Sequence, residues 1–345
     1  MATLKFMLWN VEWMNDLFTA DGQAVAFRPD ADKTEHVNAT VKQRREHLSG
    51  AINDIDPDVV VVVEGPSRPA ELQLFFDADV NPGTWVTHLQ TTPGQQQNIG
   101  IAVRTDTGKF GTPAVAAGSW PDAAAFAPFL LDTDNDDVEE HHKFDRTPLY
   151  AEVKTAGGAV FRVLGLHLKS KGIFDAFEWA RWWDKADANR KKILAQATQV
   201  RMKFVDKYLS DAATAAIPLI VCGDINDGPG FDASERRLLG SGIERLMGNV
   251  WRPGLCLGNA LFDSLTDKQK TSLDFSSLAT TSFKDPIFNN VYQREWIDHI
   301  LYNIRAAAPW VTQAKVIRQL PDGQMIWTKY KHASDHQPVV CQVDV

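Results

Sequence analysis

Read along the chain, apolar residues gather in short runs separated by polar segments rich in Gly, Pro, Asn and Asp. The runs Leu4 to Trp9, Val59 to Val63, Ile99 to Val103, Val160 to Leu166, Leu219 to Cys222, Trp296 to Tyr302 and Val339 to Val343 have strand length and carry many β-branched or aromatic residues. Each predicts a buried strand. The stretch LYAEVKTAGGAVFRVLGL predicts a hairpin turning at or near Gly157-Gly158. Elsewhere the period is helical. Val37, Val41, Leu48 and Ile52 recur at multiples of about four until Asp56-Pro57 stops the pattern. Ile193, Ala197, Val200, Phe204 and Tyr208 do the same in the longest helical stretch, whose other face carries Arg190, Lys191, Lys192 and Lys203. Strands, helices and a hairpin together predict an α/β fold whose sheet is not purely parallel, with two layers of sheet and helices outside as the simplest packing. No repeat, heptad or linker interrupts the pattern, so one domain over residues 1–345 is expected, with loop insertions near 132–145 and 173–187.

Composition changes this picture little. Hydrophobic content of 44% and charged content of 23% are those of an ordinary globular chain. No apolar run approaches the roughly 20 residues that span a bilayer. The N-terminus MATLKFMLWNVEWMND reads as a strand and lacks the parts of a signal peptide, which sets the expectation of a cytoplasmic protein. Cys222, Cys256 and Cys341 have no metal spacing; Cys222 and Cys341 lie in apolar runs and read as small buried hydrophobes. A net charge of −8 argues mildly against gripping nucleic acid through a basic surface.

The chemistry lies in how the strands end. LKFMLWN ends in Asn10, with Glu12 two residues on, and VVVVVE ends in Glu64. RVLGLHLKSK carries His167 and Lys169, LIVCGDIND delivers Asp224 and Asn226, EWIDHILYN carries Asp298, and HASDHQPVV places Asp335 and His336 before the last strand. Taken singly, each has a plain structural reading: a Glu after a Val run is a solvated strand end, and Asp-Ile-Asn-Asp-Gly is an Asx turn. Their recurrence at one strand end after another is not explained that way.

WNVE, VVVVVEG, GLHLKSK, GDINDGPG, WIDHILYN and SDHQPV, in this order, resemble the motif set of the endonuclease/exonuclease/phosphatase superfamily, the deoxyribonuclease I-like phosphohydrolases. The resemblance runs from Asn10 to Val339 and implies an α/β four-layer sandwich, two mixed, mostly antiparallel β-sheets packed face to face with helices on the outside. It also implies a divalent-metal-dependent phosphoester hydrolase using Mg²⁺ or Mn²⁺, with one ion or two left open. Phosphoester hydrolysis needs positioning, charge neutralisation and an activated water, and hard cations take oxygen ligands. By resemblance, Glu64 is the principal metal ligand, with Asn10 beside it and Asp335 a further acid near the metal. Asp224 orients or deprotonates the attacking water, and Asn226 donates to a phosphoryl oxygen. Asp298 fixes and charges His336, which stabilises the transition state, while His167 acts on the phosphate or leaving group. Arg146, Asn98 and Lys169 are further phosphate-binding candidates.

His299, next to Asp298, points to the opposite face of its strand and reads as structural. His141-His142 lacks zinc spacing. Two departures stand out: Val63 occupies the position before the metal-binding Glu where the superfamily commonly has Gln, and no basic DNA-reading loop is evident. The expected substrate is a phosphodiester of nucleic acid or nucleotide type. A phosphomonoesterase or sphingomyelinase-like enzyme for sugar, inositol or lipid phosphates is the second reading, and a catalytically silent scaffold the third. Phe174, Phe177, Trp179, Trp182 and Trp183 could stack bases, line an apolar pocket or cap the core. The acidic loop Asp134 to Glu140 would repel a polyanion only if it faced the site.

Overall fold

The computed structural model describes residues 2–20, 22–81, 83–118, 126–173, 179–229, 232–272, 275–285, 291–304 and 309–345. In chain order the strands are β1 (Thr3–Asn10), β2 (Val59–Gly65), β3 (Trp85–Gln90), β4 (Asn98–Arg104), β5 (Phe110–Ala117), β6 (Phe129–Leu131), β7 (Glu140–His142) and β8 (Leu149–Thr155). They continue as β9 (Val160–His167), β10 (Leu219–Asp224), β11 (Leu257–Asn259), β12 (Thr281–Asp285), β13 (Val291–Glu295), β14 (Asp298–Asn303), β15 (Val311–Val316) and β16 (Val339–Asp344). Three helices matter for the layers: α1 (Val41–Ile55), α2 (Pro69–Ala78) and α3 (Trp182–Val200).

Two six-stranded sheets form, in the orders β15-β16-β1-β2-β4-β3 and β11-β14-β10-β9-β8-β5. Each contains one parallel pair, β1 with β2 in the first and β9 with β10 in the second, and is otherwise antiparallel. The period-two alternation decides which face each side chain takes. Val59, Val61 and Val63 enter the core between the sheets with Phe6, Leu8, Phe161, Ile220 and Ile300. Val60 and Val62 face outward and are covered by α1 and α2 through Leu48, Ile52, Phe75 and Phe76. On the far side, Leu164, Leu166 and Val221 are covered by Ile193, Ala197, Val200 and Phe204. Strands covered on both faces read as unbroken apolar runs, which accounts for VVVVVE. The architecture is the four-layer α/β sandwich expected.

The structure adjusts several boundaries. Val37 lies outside α1, which starts after a capping box between Thr40 and Gln43. The second helical stretch runs through α3 and on through a π turn at Arg201–Val205. β3, β5 and β15, whose burial alternates with exposed positions, went unread as strands. Phe174 and Phe177 lie outside the described residues. From Trp182 onward the Trp-rich segment is the first turn of α3 rather than a loop, and Trp183 is exposed beneath Arg237. The acidic insertion packs on α3: Lys191 bridges Asp134 and Glu140, and Lys192 binds Asp145. Cys222 and Cys341 are buried, and Cys256 is half-buried. Among the described residues, no helix is long and apolar enough to cross a membrane.

Candidate active site

The parallel pairs bring β1, β2, β9 and β10 to the same end of the sandwich, and the antiparallel neighbours β14 and β16 start there. In the second sheet the register sets Asp224 directly opposite His167 on one side and Asp298 on the other. Gly223 makes this row possible. It sits at φ +147°, and a Cβ there would collide with the Leu166 carbonyl. In the first sheet, Asn10 pairs with Val63, and a bulge between Val62 and Gly65 puts Glu64 at φ +59°. The bulge frees its carboxylate from the strand's alternation.

The two sheets meet through these side chains. Asn10 Nδ2 lies 3.1 Å from both Glu64 Oε1 and Asp224 Oδ2. His167 Nε2 is 3.8 Å from the same two oxygens, too far for a hydrogen bond. Glu64 Oε2 accepts from the Trp13 amide at 3.0 Å and from Gln97 Nε2 at 2.5 Å, and Gln97 is held from behind by Arg146 Nη2. Asp224 also answers the Asx-turn reading. Its Oδ1 accepts from the Asn226 amide at 2.9 Å and closes the turn, while Oδ2 faces the cluster. Asp227, the next acid, turns away to Lys171 at 2.6 Å and to the Gly242 amide.

His336 Nδ1 meets Asp298 Oδ2 at 2.7 Å, and Ser334 Oγ ties this loop to the Asn10 carbonyl. Asp224, Asp298 and His336 bring ligand atoms within 4.8 Å of one another. Burial pushes the Asp224 carboxyl up to about 7, helped by the neighbouring Asp298 charge. Burial alone would lower His336, but Asp298 and then Asp224 outweigh it and hold the imidazole well above its ordinary value. His167 goes the other way: burial, with Arg146 and His336 nearby, holds it well below, so it is a neutral ring. Two histidines in one cluster are thereby set to opposite charge states, the pattern of separated acid and base roles.

The remaining candidates are placed differently. Asn98 donates to the Pro66 and Gln95 carbonyls and accepts from the Thr92 amide. Its amide is fully engaged, so it braces a loop instead of offering itself to phosphate. Asn226 Nδ2 donates to the Leu168 carbonyl at 3.2 Å. The Lys169 amide is anchored by Gln196. Asp335 is the outermost acid, its side chain 54% exposed, reaching His336 Nε2 at 3.9 Å. His299 is buried as expected, with Nε2 on the Asp227 carbonyl and Nδ1 on Asn259 Nδ2.

Three residues escaped the sequence reading, and a fourth, Glu12, was given no role there beyond its place after Asn10. Glu12 Oε2 accepts from the Asp335 amide, and its carboxyl is raised to about 7 by burial and then by Asp335. Gln97, one position before the residue chosen, is the amide that reaches Glu64, while Val63 lies in the inter-sheet core. Trp13 supplies the backbone donor described above. Arg44 is fully buried and donates to the carbonyls of Val11, Glu12, His332 and Ala333, which joins the loop after Asn10 to the loop before Asp335. The signal for Arg44 was present: it occupies the apolar stripe of α1 between Val41 and Leu48.

The donor set suits a hard divalent cation. Carboxylates of Glu64 and Asp224 converge on one shared amide donor, Asn10 Nδ2, with Asp298, Glu12 and Asp335 around them, and gathered anions of this kind call for a cation.

No protein-family model matches the chain, and no curated protein matches it. Solved structures do. An endonuclease/exonuclease/phosphatase from Bacteroides vulgatus aligns over 100% of both chains at 15% identity, with a TM-score of 0.52. A humanized D. rerio TDP2 carrying 14 mutations aligns over 99% of both at 15% identity and a TM-score of 0.50. A TDP2 from Caenorhabditis elegans aligns over 100% of this chain and 75% of its own at 12% identity and a TM-score of 0.50. The chain shares the fold of these structures, one of them described as an endonuclease/exonuclease/phosphatase.

Proposed function

We propose that this chain is a divalent-cation-dependent phosphodiester hydrolase acting on nucleic acid or nucleotide diesters. The observation that carries the proposal is the opposed setting of the cluster. A carboxylate with a raised pKa, Asp224, stands beside a charged imidazole, His336, itself paired with Asp298. Asp224 orients a water and accepts its proton, and His336, as an imidazolium, donates to a phosphoryl oxygen as charge builds there. Asp298 fixes the tautomer of His336 and favours its charge. Neutral His167, within 3.8 Å of both Glu64 and Asp224, is a donor for the phosphate or leaving group. Glu64, with Asn10 beside it and Asp335 at the rim, would hold Mg²⁺ or Mn²⁺. When bound, the ion supplies charge neutralisation and polarisation of the phosphoryl group. The shared fold with proteins described as endonuclease/exonuclease/phosphatase and TDP2 supports the same reading.

The test is nicking of supercoiled plasmid in Mg²⁺ or Mn²⁺, with Asp224→Ala and EDTA as controls. Nicking that vanishes in both controls is expected. Absence of nicking by the folded wild type would turn attention to small phosphoesters, lipids and lastly a silent scaffold.

A further inference from the structure

Between a short 3-10 turn at Met14–Leu17 and α1, residues 18–40 contain no regular helix or strand among those described. Irregular connections longer than about 12–15 residues are uncommon in compact domains and are usually either functional or disordered linkers. This one is pinned. Arg28 donates to the carbonyls of Asp16 (3.2 Å) and Lys33 (3.0 Å), and Arg68 to those of Thr19 (2.9 Å) and Gln23 (2.7 Å). The strap delivers His36. Buried Asp16 accepts from His36 Nδ1 at 3.0 Å and from the amides of Glu35 and His36 at 3.0 and 2.9 Å. Held there, the imidazole stacks on the Trp13 indole with centroids 3.7 Å apart and planes 4° from parallel.

Trp13 is itself placed at a cost. It and Glu12 sit at φ of +53° and +52°, a left-handed region that bulky residues rarely adopt, and such strain gathers at functional sites. Its amide touches Glu64 Oε2, so the indole begins within a side chain's length of the carboxylate cluster. A core-filling role does not account for it: Trp9 is 1% exposed, whereas Trp13 is only half-buried and the His36 side chain behind it is 35% exposed.

We infer that Trp13, backed by His36 and Asp16, is a stacking platform for an unpaired nucleobase next to the scissile phosphate. The inference rests on the phosphodiesterase reading and sharpens its substrate. A base inside a duplex has both faces covered, so the platform favours a single strand or frayed end. Stacking also supplies affinity that a chain of net charge −8 does not obtain from a broad basic surface.

The experiment pairs two single-stranded oligonucleotides, one with normal bases and one with tetrahydrofuran residues flanking the cleaved phosphate. Stacking of about 1–3 kcal/mol per base corresponds to a preference of about 5- to 150-fold in kcat/KM for the base-bearing strand. Trp13→Ala is expected to bring that ratio close to unity, and Trp13→Phe to retain most of it. A ratio unchanged in Trp13→Ala, or both strands slowed alike, overturns the platform. Anisotropy with the same labelled strands, comparing Asp224→Ala with Asp224→Ala/Trp13→Ala, reads the ratio without turnover. If the wild type cleaves neither strand, the phosphodiesterase reading falls, while the binding ratio still decides the platform.

Discussion

Arg44→Met separates geometry from charge at the root of the site. The guanidinium has no exposed surface and bonds four carbonyls on two loops: Val11 at 2.9 Å and Glu12 after β1, and His332 at 2.8 Å and Ala333 at 2.5 Å before β16. Burial lowers its pKa from the usual arginine value, while Glu12, Asp16, Asp335 and Glu64 around it oppose that shift. Methionine fills similar space with no donors, leaving buried carbonyls unpaired and the acids without their fixed counter-charge. Removing one partner of a buried ionic network costs about 3–5 kcal/mol. Domains are commonly stable by about 5–15 kcal/mol, so the variant should still fold. Equilibrium urea unfolding should show that loss. Nicking should fall by about 10²-fold, because Asn10 adjoins one of the two loops Arg44 joins and His336 lies on the other, and misplacements near 1 Å carry that penalty. Arg44→Lys keeps the charge, but a point ammonium cannot span four carbonyls, so it should recover only part. A loss below about 1 kcal/mol in Arg44→Met, or full recovery by lysine, would refute the bridging argument.

Two further outcomes follow from neighbouring residues. Asp298→Asn keeps the shape beside His336 but removes the carboxylate that holds the imidazole charged. The expected loss in kcat is about 10²- to 10⁴-fold with KM little changed, and wild-type turnover would show that the imidazolium is not used. Burial pushes the His299 imidazole down from its ordinary value of 6.5 to about 4. Its Nε2 must donate to the Asp227 carbonyl, so Nδ1 accepts from Asn259 and has no place for a second proton. A depressed histidine contributes stability that is present above about 6.5 and lost as pH falls through about 4. The difference corresponds to about 3 kcal/mol. Urea unfolding at pH 7 and pH 4 should show this extra loss in the wild type and not in His299→Gln; equal slopes would contradict it.

Much of the candidate site was legible because its residues stand where apolar runs begin or end. Glu64, His167, Asp224 and Asp298 sit where a buried strand reaches the rim, so hydrophobic pattern and polar punctuation coincide in the sequence. Three of the strands the pattern does not mark, β3, β5 and β15, alternate buried with exposed residues and lack such runs. Asn98 is a candidate on residue type and position alone, and its neighbour Gln97 carries no separate signal. Which of two adjacent amides reaches Glu64 depends on where β4 starts, and that start is set by pairing with β2 and not by any local pattern.

Arg44 and Trp13 show the deeper limit. Each works through backbone atoms that are distant in the chain: Arg44 through carbonyls beyond β15, Trp13 through an amide aimed at Glu64 and a ring matched to His36 across an irregular strap. Carbonyls and amides are the same at every position, so a sequence carries no local mark of which ones a side chain will meet. What it does carry is the anomaly. A charged residue on the apolar stripe of a helix must find partners inside, and Arg44 lies between Val41 and Leu48 on that stripe. The pattern therefore says that something polar must be bound there. Only the packing of α1 against the first sheet says that the something is the pair of loops that adjoin Asn10 and carry His336.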